Sequence, residues 1–156
     1  MTYRIAGLQP DSFAPIVGLD DAALDARGFR RIVVPHDGGH PCRITLEDAP
    51  AGERVVLLAY PHHVAPGSPY RASGPIFVRE VARERWDRID EVPPVLKTRL
   101  LSVRAYDRDG VMVDADVVEG AAIEPTIARL FGNAGTDFLH VHFAKRGCFA
   151  CRVDRA

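Results

Sequence analysis

Residues 100–118, LLSVRAYDRDGVMVDADVV, decide the fold class. Two runs rich in β-branched and apolar residues, Leu100 to Tyr106 and Val111 to Val118, flank Asp107-Arg-Asp-Gly110. Asp hydrogen-bonds its own turn, and Gly takes positive φ with no Cβ to clash, so this spacing predicts a β-hairpin. A hairpin joins antiparallel strands, whereas a parallel pair needs a crossover of about a dozen residues or more. The local reading is therefore antiparallel.

The same grammar recurs near the end of the chain, where Phe138 to Phe143 and Cys148 to Val153 flank Lys145-Arg146-Gly147. Upstream, Arg54 to Tyr60 predicts a central strand, and Phe29 to Val34 an extended segment. Cys42, Ile44 and Leu46 alternate with Arg43, Thr45 and Glu47. That alternation predicts a half-buried strand with Cys42 toward the core and Arg43 toward the wetter face. Pro61 to Pro75, rich in Pro, Gly and Ser, reads as the longest loop, with Pro75 to Arg79 a short strand leaving it.

Helices are few and short. Asp20 is placed to cap one, with Leu19 and Leu24 spaced as a hydrophobic staple and Gly28 positioned to end it. Val78, Ala82, Trp86 and Ile89 have helical spacing and are closed off by Pro93-Pro94. Ile123, Ile127, Leu130 and Phe131 form an apolar stripe, with Pro125 tolerated in the first turn. The expected architecture is α+β: a single domain over residues 1–156, mainly antiparallel β-sheet with two or three short helices.

Composition narrows the function classes. A chain of 156 residues buries about 68–70% of its unfolded surface, enough to fold without a disulfide or metal staple. A formal net charge of −1 argues against nucleic acid or an anionic membrane as the partner. The start of the chain lacks a long apolar run, and no segment approaches the roughly 20 apolar residues of a spanning helix. Three cysteines cannot all pair within one chain, so a reducing, cytoplasmic setting is expected. Positive charge is carried almost wholly by arginine, since Lys97 and Lys145 are the two lysines.

The candidate chemistry gathers in the last nineteen residues, where His140-Val-His142 precedes Cys148-Phe-Ala-Cys151. On a strand, His140 and His142 project from one face about 7 Å apart, a usable spacing for two ligands of Zn²⁺ or another divalent transition metal. A His-x-His-x-His triad is ruled out by Ala144, and the Glu that follows His-x-His in metal-binding cupins is replaced by Lys145 and Arg146. Cys148 and Cys151 point to opposite faces of a regular strand, so hairpin register decides which joins the histidines. A two-residue Arg146-Gly147 turn sets His142 opposite Cys151. A three-residue Lys145-Arg146-Gly147 loop puts Cys148 on the histidine face, and is favoured because Gly147 then stands where positive φ is required.

These residues define a candidate metal set of His140, His142 and Cys148. They also define a candidate catalytic pair, Cys148 as thiolate nucleophile and His142 as general base. Arg43, Arg71, Tyr70 and Arg79, with Arg104 beside them in the reading, are candidates for binding a small anion, because guanidinium forks match carboxylate and phosphate. The alternative is a non-catalytic module that binds a small anion or a protein partner.

Several of these stretches together resemble a known family. Pro41-Cys42-Arg43, Leu46 to Ala49, Gly52-Glu53, Pro69-Tyr70-Arg71-Ala-Ser-Gly74 to Arg79, Arg104-Ala-Tyr106 and the closing His140-Val-His142 with Arg146-Gly147-Cys148 are similar to the bacterial domain of unknown function 1203. The resemblance runs from Tyr3 to Arg155. It implies a small bacterial domain and carries no activity with it.

Overall fold

The computed structural model describes residues 1–156. Asp107 Oδ1 accepts from the backbone N–H groups of Asp109 and Val111 at 3.0 and 2.9 Å, and Gly110 sits at φ +75°. That turn joins β6 (Leu100–Tyr106) to β7 (Met112–Glu119), which pair antiparallel with Ser102 opposite Val117 and Arg104 opposite Ala115. On its other side β6 pairs with β8 (Phe138–Phe143), which pairs with β9 (Phe149–Arg155). β1 (Tyr3–Ala6) and β5 (Asp87–Ile89) complete a six-stranded sheet in the order β5-β1-β9-β8-β6-β7, antiparallel throughout.

One face of this sheet is covered by α3 (Ile123–Gly132). Ile123, Ile127, Leu130 and Phe131 pack against Leu101, Val103, Leu139, Val141 and Val153 in a core cluster of 19 residues. The pattern of i, i+4, i+7 and i+8 is the one the sequence shows, and tertiary burial stabilises a helix too short to persist alone. Arg129 of α3 holds Asp114 and Asp116 of β7, both at 2.9 Å, so the acidic side of β7 faces the helix.

The second sheet has three antiparallel strands, β2 (Arg30–Val33), β3 (Arg54–His63) and β4 (Ala72–Arg79), in the order β2-β3-β4. Leu24, Cys42, Ile44, Val56, Leu58, Ile76 and Val78 form its core. α1 (Asp21–Asp25) abuts β2, and Asp20 caps it by accepting from the Ala23 N–H at 2.8 Å, with Gly28 at φ +72° after its end. A one-turn helix, α2 (Pro94–Lys97), precedes β6. The chain is thus mainly antiparallel sheet with a few short helices.

Three expectations are corrected. Cys42 to Leu46 is a buried turn with isolated bridges at Pro41–Asp48 and Cys42–Phe77. Leu46 stands at φ +50°, and its N–H returns to the Cys42 carbonyl at 3.0 Å. Cys42, Ile44 and Leu46 are buried as expected, but a turn has no opposite face, so Arg43 is buried with them, 1% exposed. The segment from Val78 to Ile89 is the end of β4, a turn and β5, not a helix. The expected loop starting at Pro61 is shorter, because β3 continues through an irregularity to His63.

Candidate functional site

The extension of β3 is what builds the site. Beyond Tyr60, the strand carries His62 and His63 across the face of the six-stranded sheet that α3 does not cover. His62 stacks on Phe149 with ring centroids 5.3 Å apart and meets His142 edge-on at 5.1 Å. His63 stacks on Tyr106 at 4.5 Å, meets His140 edge-on at 5.4 Å, and its Nε2 contacts the Gly110 carbonyl at 2.8 Å. Four of the six histidines therefore gather over β8. The sequence signal was the His62-His63 doublet following an apolar run, but Pro61 read as the start of a loop.

His140 and His142 share a face, as their spacing predicts, but it is no wet face. They are 3% and 1% exposed, and burial first, then neighbouring histidines or Arg104, pushes their pKa values down to about 2 and about 4. Both rings are neutral at neutral pH. His142 Nδ1 lies 3.0 Å from the Gly147 carbonyl, so Nδ1 carries the proton and Nε2 presents a lone pair. His142 Nε2, His140 Nδ1 and His62 Nδ1 are buried without a hydrogen-bond partner.

Cys148 does not join them. Phe143 donates its N–H to the Cys148 carbonyl at 2.9 Å, closing a four-residue loop at Ala144–Gly147, with Gly147 at φ +75°. Gly147 has the positive φ that the turn requires, but one extra loop residue reverses which side chain faces where. Phe149, not a cysteine, stands opposite His142, and after an irregularity Cys151 stands opposite Val141 in the core. The expected set of His140, His142 and Cys148 is thus divided between two faces. No group of three or more His, Cys, Asp or Glu side chains is arranged to hold a metal ion. The expected donor set of His140, His142 and Cys148 does not form.

What Cys148 meets instead is Arg43. Its guanidinium donates from Nε to the Phe149 carbonyl at 2.7 Å, from Nη1 to the Pro41 carbonyl, and from Nη2 to Cys148 Sγ at 3.1 Å. It also lies over the Phe143 ring, 5.0 Å from the centroid. No carboxylate pairs with it, and burial lowers its pKa from the ordinary value, with Cys148 the main opposing influence. Buried charges are as a rule paired, and Cys148 Sγ is the one group within hydrogen-bond reach that is able to carry negative charge. Cys148 is half-buried, whereas Cys42 and Cys151 are closed off, and burial pushes the Cys151 thiol up to about 12.

The remaining candidates have separate partners. Arg79 holds Glu53 through Nε and Nη2, both at 2.7 Å, and reaches Glu47 at 3.3 Å. Tyr70 is 40% exposed and meets Tyr106 edge-on at 6.2 Å. Arg71, next to it, is exposed and makes an ion pair with no residue of the chain. A concavity of about 590 Å³ lies along β3 and β4 near Gly28, Leu57, Ala59 and Gly74, and none of these candidate side chains lines it.

A family model described as protein of unknown function (DUF1203) matches residues 39–155, three quarters of the chain. The chain belongs to that family. The matched span contains Arg43, His62, His63, Arg104, His140, His142 and Cys148, and begins after β2. No curated protein and no solved structure matches the chain. No helix is long and apolar enough to cross a membrane.

Proposed function

We propose that this DUF1203 protein is a thiol-dependent module whose reactive group is Cys148, held by Arg43 in a reducing, cytoplasmic setting and serving a small anionic ligand. The observation that carries the reading is the buried guanidinium with no carboxylate, hydrogen-bonded to a half-buried sulfur at 3.1 Å. Sulfur attacks electrophiles with its electron pair, and the Arg43 guanidinium is the fixed cation that touches Sγ. His142 does not touch this sulfur in the observed register, so Arg43 takes the activating role first assigned to a histidine base.

Competitive labelling tests it. Limited iodoacetamide treatment at pH 7, followed by peptide mass mapping, is expected to modify Cys148 well before Cys42 or Cys151. In that reaction the sulfur forms a bond to carbon and iodide leaves. Equal, slow labelling of all three would return Cys148 to a packing role.

A second reading, a non-catalytic module that binds a small anion, has its own support. Arg71 and Arg104 carry no carboxylate partner, whereas Arg79 is already occupied by Glu53 and Glu47.

A further inference from the structure

The face of the six-stranded sheet away from α3 carries three guanidinium groups, and two of them have carboxylates. Arg4 grips Asp87 through Nε and Nη2 at 2.5 and 2.6 Å, and Arg152 holds Asp154 at 2.8 Å. Arg104 is the exception. Its Nε donates to Ser102 Oγ at 3.2 Å, the Tyr106 hydroxyl lies close enough to share a hydrogen bond with it, and no acid forms an ion pair with it. The acids of the adjacent strand, Asp114 and Asp116, are turned to the other face and taken by Arg129.

Around Arg104 lie neutral rings, and Arg152, beyond His140 on the same face, is a second cation. The cross-strand neighbours of Arg104 are His140 and Ala115, and His62, His142 and Tyr106 all feel its positive charge. Those histidines are neutral at neutral pH and offer no compensation. A half-buried guanidinium without a counter-charge has its fork available to an anion. Ser102, which accepts from Nε, keeps its hydroxyl proton free to donate, and His62 holds a buried Nδ1 with no partner.

We propose that Arg104 and Ser102, with His62 beside them, form a binding site for a small oxyanion, a carboxylate or a phosphate. The Nη edge of Arg104, which no carboxylate occupies, supplies the fork, the hydroxyls of Ser102 and Tyr106 are further donors, and the His62 ring bounds the site. The site rests on the anion-binding reading and is independent of Cys148, which faces the opposite side of the hairpin.

The test uses the full chain and two probes, inorganic phosphate and succinate, each titrated at constant ionic strength against chloride while the melting temperature is followed. A saturating rise of several degrees with either probe is expected, and the probe that binds identifies the oxyanion class. Arg104→Gln should abolish the rise and Arg71→Gln should leave it. Loss in Arg71→Gln with retention in Arg104→Gln would keep the anion-binding reading and overturn this site. No rise with either probe would overturn both. Should Arg104→Gln fail to fold, imidazole ¹H–¹⁵N spectra of the wild-type chain decide. His62 resonances shifting with the same midpoint as the melting curve support the site, and unmoved resonances overturn it.

Discussion

At the residue scale, the two buried histidines of β8 set how the protein answers acid. His140 and His142 have folded pKa values of about 2 and about 4, below the ordinary 6.5. Above pH 6.5 both states are neutral and neither ring affects stability. Below it the unfolded chain takes up protons that the folded chain refuses, so stability falls with pH, by up to about 1.4 kcal/mol per pH unit for each ring. For His142 the loss runs from 6.5 down to about 4, and for His140 it continues toward 2. Urea unfolding between pH 7 and pH 4.5 should therefore show a steep decline. Replacing His142 with Gln should flatten it, while an unchanged slope would mean that the ring is not buried neutral. The spacing of these histidines was legible in the sequence, and so was their shared face. Their burial was not, because it depends on His62 and His63 arriving from a strand more than 75 residues upstream.

At the element scale, local signals succeeded where one short motif determines the geometry. Asp20 with Gly28, the Asp107–Gly110 turn and the apolar stripe of α3 all behave as their chemistry requires. They failed where two structures share one pattern. Alternation from Cys42 to Glu47 fits a strand or a buried turn equally well, and the helical spacing of Val78, Ala82, Trp86 and Ile89 is met by a strand, a turn and another strand. The β8–β9 register turned on a single loop residue, which composition cannot count. Close packing between elements gives a sharper prediction. A Cβ on Gly120, where β7 leads into α3, would stand 1.8 Å from the Leu96 carbonyl oxygen and 2.9 Å from that of Arg99. Gly120→Ala should cost about 2–3 kcal/mol, since backbone must move to admit it. Gly132→Ala, at the end of α3 with nothing within 4 Å, should be neutral or stabilise by up to about 1 kcal/mol. Thermal melts of the two variants, compared with wild type, separate steric packing from helix propensity.

At the scale of the whole molecule, the two sheets are joined by β3 crossing the open face of the larger one and by the buried turn that delivers Arg43 to the end of the β8–β9 hairpin. That second connection links residues 105 positions apart, Arg43 and Cys148, through one guanidinium. No local pattern predicts such a pair: Arg43 reads as a strand residue facing water, and Cys148 as a partner of nearby histidines. Tertiary burial overrides both readings and leaves a cation whose one potential counter-ion is a sulfur. The reactivity of Cys148 depends on that pairing. The most direct measurement is the second-order rate of Cys148 alkylation at pH 7 in wild type and in Arg43→Met, with circular dichroism to show that both are folded. The methionine keeps the apolar bulk and removes the charge, so the rate at Cys148 should fall by about tenfold or more, as expected when the cation touching the sulfur is lost. A folded Arg43→Met protein whose Cys148 reacts at the wild-type rate would contradict the account.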